Sequence, residues 1–128
     1  PMDYLTSEIE AGVKFWVQED GGELSGVMGV QDVKDVSLIR HAYVRTSARR
    51  GGAGSGLLQH LKTVTKRPLL IGTWADATWA IDFYRKHEFR VILGNAKDAL
   101  LDAYWSLPRR QIEESVVLAD RRWFEHTA

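Results

Sequence analysis

Between Arg49 and Gly56 the chain reads RRGGAGSG, with four glycines in six positions behind two arginines. Leu57, Leu58, Leu61 and Val64 follow at the spacing of one apolar helical face. Glycine inside a helix costs up to about 1 kcal/mol relative to alanine, so a helix that opens this way has a use for bare backbone. Glycine lets the main chain approach a ligand closely. A helix start adds N–H groups without intrahelical partners and a partial positive charge, and the two together hold phosphate. The group that suits Arg49, Arg50, Gly51, Gly52, Ala53, Gly54, Ser55 and Gly56 is therefore a phosphate or pyrophosphate.

Two common phosphate loops do not fit. The nucleotide-binding loop G-x-x-x-x-G-K-[ST] places lysine where Leu57 stands, which disfavours a nucleotidase of that kind. The dinucleotide pattern G-x-G-x-x-G needs a third glycine at Leu57 or Gln59. Composition narrows the classes further. The chain has 128 residues, 45% of them apolar, with 17 basic and 17 acidic side chains. That balance speaks against a general nucleic-acid or membrane-surface binder. There is no cysteine, hence no disulfide, thiolate metal site or cysteine nucleophile. The four histidines show no metal-ligand spacing, and no metal is expected. No apolar run approaches a membrane span, and PMDYLTSEIE lacks a leader pattern, so a cytoplasmic location is expected.

The elements that must position the glycine stretch can be read from periodicity. Met2, Leu5 and Ile9 have helical spacing up to Gly12. Strands are expected over Val13–Gln18, Leu24–Val33 and Val36–Val44, joined by the tight turns EDGGE and KD. Gly26 and Gly29 in the second of these mark a bulge or a close backbone approach. After the glycine-led helix, Pro68–Trp74 reads as a strand covered on both faces. A helix follows from Trp79 to about His87, capped by Asp76 or Thr78, then the short strand FRVIL, the helix KDALLDAYW and a last strand over Gln111–Ala119. Trp79 and Trp105 are expected in the core. A strand–helix–strand passage should be parallel with a right-handed crossover. The expected fold is one mixed α/β (α+β) domain over residues 1–128. Its sheet is mostly antiparallel with a central parallel β-α-β pair, Val36–Val44 with Pro68–Trp74, and helices lie on both faces.

Read as [QR]-x-x-G-x-[GA], the stretch Arg49-Arg50-Gly51-Gly52-Ala53-Gly54 resembles the acetyl-CoA signature of the GNAT superfamily of N-acetyltransferases. AIDFYRKHEF resembles the second hallmark of that superfamily, A-x-x-F-Y-x-K-x-G-F, and stands in the right order behind the first with a strand between. The resemblance runs over roughly residues 13–119. Glu88 stands where the second hallmark has glycine, and Ala77 where many members carry asparagine. The first strand and helix of the superfamily have no visible equivalent. The superfamily's fold then leaves the strand at Val13–Gln18 as an open edge, to be covered by a second copy of the chain in a homodimer or by the first helix.

The resemblance implies direct transfer of an acetyl group from acetyl-CoA to a primary amine, on a small molecule or a peptide. It implies that backbone amides of Ala42, Tyr43 and Val44 hold the pantetheine and face the thioester. It gives Tyr84 the protonation of the CoA sulfur, against a reading as a core tyrosine beside Phe83. Two readings stand for His41 on the strand leading to the thioester: a base that takes the amine proton, or a strand histidine paired to a neighbour. Asp76 reads as a cap and Glu23 as a turn residue. Lys86 reaches the nucleotide end or lies on a solvated face. Trp74, after the parallel strand, is a candidate wall of the acceptor pocket, suited with Tyr43 to an aromatic or cationic amine. The competing function is a GNAT-fold module that binds CoA without turnover, as a sensor or an assembly component.

Overall fold

The computed structural model describes residues 3–8, 12–45 and 52–127. The chain packs as two compact units, Pro1–Arg67 and Pro68–Ala128.

The first unit is an antiparallel meander of β1 (Asp3–Glu8), β2 (Val13–Asp20), β3 (Glu23–Val33) and β4 (Val36–Val44), followed by helix α1 (Ala53–Val64). Gly21 and Gly22 close the β2–β3 hairpin, both at positive φ, the backbone that a two-residue turn between twisted strands demands. The bounds of β4 are those its apolar run predicts. The register slips by one residue at two places. Ser25 is the extra residue opposite Gln18/Glu19, and its hydroxyl donates to the Gln18 carbonyl at 3.0 Å. Arg40 is the extra residue opposite Gly29/Val30. Helix α1 lies on one face of this sheet. Its Leu57, Leu58 and Leu61 are fully buried with Met28, Val36 and Leu38, and its His60 meets the edge of Trp16 on β2 with centroids 4.8 Å apart.

The expected helix over Met2–Ala11 is corrected: Asp3–Glu8 is a strand, paired with β2 from Asp3↔Glu19 to Glu8↔Lys14. Three apolar residues at helical spacing carry less weight than six residues that satisfy their backbone against a neighbouring strand. The outer edge of β2 is thereby paired, which removes the reason for expecting a second copy of the chain there.

The second unit contains β5 (Leu69–Trp74), α2 (Thr78–Lys86), β6 (Arg90–Ile92), α3 (Gly94–Tyr104), α4 (Arg109–Glu113), β7 (Ser115–Ala119) and α5 (Arg121–Thr127). Strand β7 runs antiparallel between β5 and β6, and all five of its residues are buried. Leu69, Leu70, Leu101, Val117 and Leu118 are fully buried in this core. Lys97, buried on α3, has its ammonium satisfied by the Ile112 carbonyl at 2.6 Å and Asp98 at 3.0 Å.

Here the strand expected over Gln111–Ala119 is corrected to a short helix and a shorter strand. Pro108 takes the cap position of α4, where its missing N–H costs little. The Ser115 hydroxyl donates to the Gln111 carbonyl at 2.6 Å as the chain turns into β7. The last helix, α5, was carried by a signal the periodicity hides: an Asp120 carboxylate oxygen accepts the N–H of Arg122 at 3.1 Å, a helix-start contact. Helix α2 starts from Ala77 with no side-chain cap, so neither Asp76 nor Thr78 caps it. Trp79 is 46% exposed rather than in the core. Its ring stacks on Phe83 with centroids 5.5 Å apart.

Candidate functional site

In the first unit, the start of α1 is the strongest binding feature. Gly52 sits before it at φ 84°, left-handed, and no side chain caps the helix. The first helical bond runs from the N–H of Gly56 to the Gly52 carbonyl at 2.9 Å. Helix geometry therefore leaves the N–H groups of Ala53 and Gly54 without an intrahelical acceptor. No acidic residue stands in the first turn, so nothing on the helix neutralises its positive end. Ala53 and Gly54 are buried, while Ser55 and Gly56 are half-buried. This donor set fits a phosphate or pyrophosphate group. Arg49, Arg50 and Gly51, expected to contribute to it, lie outside the described residues.

A close approach fixes the height of α1 over the sheet. A Cβ on Gly26 would lie 2.9 Å from Cδ1 of Leu57 and 3.6 Å from Cγ2 of Val44. The glycines flagged on β3 are thus contact points, and the bulged residues are Ser25 and Arg40. Val44 is buried on the α1 side. His41, Ala42 and Tyr43, just past the Arg40 bulge, are exposed, and bulges of this kind re-aim side chains beside active sites. His41 stacks on Phe15 of β2, centroids 5.7 Å apart. Glu23 is more than a turn residue, since its carboxylate accepts from Arg45 at 2.8 Å.

In the second unit, Tyr84 is the one buried residue of α2, 3% exposed. Its ring lies edge-on between Phe83, at 5.1 Å, and Phe89, at 5.3 Å. Burial pushes the phenol well above the usual tyrosine range, so it stays protonated at every physiological pH and keeps a proton to donate. Trp74, 51% exposed at the end of β5, lines an open groove of about 560 Å³ with Ala75, Asp76, Ala77 and Glu114. The Ala75 N–H donates to the Glu114 carbonyl at 2.9 Å and ties the floor of the groove to the chain before β7. Tyr84 does not line this groove. Lys86 is exposed at the end of α2. Glu88 occupies the glycine position of the second hallmark at φ 69°, the left-handed backbone that glycine adopts without strain.

Sequence reasoning did not find Phe15 or Glu114. Each becomes visible only through strand register or a turn that brings distant segments together. Among the described residues no three His, Asp or Glu side chains cluster to hold a metal ion, and no helix is long and apolar enough to cross a membrane.

Comparison with known proteins places the chain in a family. Residues 11–91 match the acetyltransferase (GNAT) domain family. The chain belongs to the GNAT acetyltransferases. No curated protein matches it at a significant level. Among solved structures, it is similar to the IAA acetyltransferase of Bacillus cereus, with a TM-score of 0.65 and 21% identity over 84% of this chain and 77% of that one. A GNAT acetyltransferase of Elizabethkingia anophelis with acetyl-CoA bound gives a TM-score of 0.65 and 20% identity over 85% and 76%. The PaiA N-acetyltransferase of Thermoplasma acidophilum in complex with coenzyme A gives 0.64 and 12% over 83% and 58%. At these identities the likeness is one of fold.

Proposed function

We propose that this protein is an acyl-CoA-dependent N-acyltransferase that moves an acetyl group from acetyl-CoA to a primary amine by direct attack. The observation that carries the reading is the bare start of α1: left-handed Gly52, free of side-chain cap and acidic residue, presenting the Ala53 and Gly54 N–H groups. Arg49, Arg50, Gly51, Ser55 and Gly56 complete the pyrophosphate site, and the backbone of Ala42, Tyr43 and Val44 the pantetheine site. Bound acetyl-CoA supplies an acyl thioester open to attack by an amine. His41 takes the proton that the amine loses, and Tyr84, kept neutral by burial, donates to the departing sulfur. Trp74, with Asp76 and Glu114 beside it, lines a groove suited to a cationic acceptor, since an indole face and a negative charge both attract an ammonium group.

A second reading is a GNAT-fold module that binds CoA without turnover. The enclosure of Tyr84 at 3% exposure favours it, because a proton donor must reach its acceptor. Release of free CoA from acetyl-CoA across a panel of polyamines, amino acids, aminoglycosides and lysine peptides separates the two. Amine-dependent release supports the enzyme, and CoA binding without release from any amine supports the module.

A further inference from the structure

Phe15, Gly29 and His41 stand opposite one another on β2, β3 and β4. They share the face turned away from α1, because Trp16, the next residue along β2, meets His60 of that helix. Gly29 is what lets the other two touch. A Cβ on it would lie 2.8 Å from Cε1 of Phe15 and 3.2 Å from Cγ1 of Val13, so any side chain there would push the ring aside. Without one, the Phe15 ring spans the middle strand and stacks on the His41 imidazole, with centroids 5.7 Å apart and planes at 21°. His41 is exposed and Phe15 half-buried. The stack therefore anchors a solvent-facing imidazole to a fixed aromatic wall. It does so one residue past the Arg40 bulge of β4.

An imidazole alone on an exposed strand visits several staggered rotamers. A base that does so is within reach of its proton for only part of the time, and proton transfer depends on that geometry first. We propose that Phe15 is a positioning residue for His41, holding its imidazole in one rotamer across the gap that Gly29 leaves. This rests on the reading of His41 as the base. It also joins the two readings open to that histidine: it is paired to a neighbour, and the pairing orients it for chemistry.

The test is a double-variant cycle read by steady-state CoA release with a saturating amine. Phe15→Leu is expected to lower kcat roughly three- to tenfold, with the KM for acetyl-CoA unchanged. Phe15→Tyr, which keeps the ring, retains the wild-type rate. Gly29→Ala, whose Cβ would crowd the Phe15 ring, lowers kcat in the same direction. In a His41→Gln background, Phe15→Leu causes no further loss. The imidazole proton resonances of His41 shift on Phe15→Leu as the ring current of Phe15 is removed. An equal loss from Phe15→Leu in both backgrounds would mean a structural role and overturn the proposal. So would an unchanged kcat in Phe15→Leu while His41→Gln is slow. Full activity in His41→Gln overturns the base reading itself, and the positioning role with it.

Discussion

Glu88 holds its backbone at φ 69°, a conformation that costs a residue with a Cβ about 1–2 kcal/mol. Its contact with Arg121, at 3.6 Å between two exposed side chains, returns little. Glu88→Gly should therefore stabilise the protein by about 0.5–1 kcal/mol after the extra chain entropy of glycine is counted. Thermal melting should show a rise in Tm of roughly 2–4 °C. At Tyr84 one consequence follows from the proposed proton donation and a second from burial. Tyr84→Phe should lower kcat at least about tenfold with little change in acetyl-CoA affinity; an unchanged kcat removes the phenol from the chemistry. The second consequence concerns pH. The unfolded chain ionises this phenol near pH ~10, whereas the folded chain keeps it protonated to a higher pH. Its contribution to stability is thus constant below pH ~10 and is lost as pH rises beyond, because the unfolded state then binds fewer protons. Melting curves of wild type and Tyr84→Phe compared above pH ~10 should show a steeper fall in the wild type. The glycine-led start of α1 is legible in sequence because its residue types and spacing are local. The Phe15–His41 stack is not, because it depends on a register through a middle strand that no local pattern announces.

At the scale of elements, α1 and β3 are fitted to one another through Gly26. A valine there would drive its side chain into Leu57 and Val44, whose nearest atoms stand 2.9 and 3.6 Å from the Cβ position. Gly26→Val should cost about 1–3 kcal/mol by overpacking, measured by denaturant unfolding, and should weaken CoA binding by shifting the start of α1. Wild-type stability would show that the helix docks loosely. Strands β2 to β5 and helices α1 and α2 lie within a few residues of where periodicity puts them, since each buries an apolar face in its own unit. Strand β1, with few apolar residues, is defined by its partner: six backbone pairs to β2 decide it. Helices α4 and α5 have 5 and 7 residues, too short for a periodic signal, and their starts depend on Pro108 and Asp120.

Across the whole molecule, 17 positive and 17 negative side chains cancel, so no long-range field gathers a polyanion, and anion binding must come from local geometry. The compact unit Pro1–Arg67 carries the start of α1, the Arg40 bulge and the Phe15–His41 stack, and the unit Pro68–Ala128 carries Tyr84 and the Trp74 groove. The strands that the sequence pairs in parallel, β4 and β5, fall one in each unit. The phosphate site proposed in the first unit rests on the N–H groups of Ala53 and Gly54. The direct measurement is calorimetric titration of coenzyme A into wild type and Gly54→Asp. An aspartate in the first turn suits the helix dipole, so the helix itself is retained, yet its carboxylate opposes a pyrophosphate at the same donors. The wild type is expected to bind with measurable heat, while Gly54→Asp, with its circular dichroism unchanged, gives none. A folded Gly54→Asp that binds coenzyme A with wild-type affinity would contradict the account.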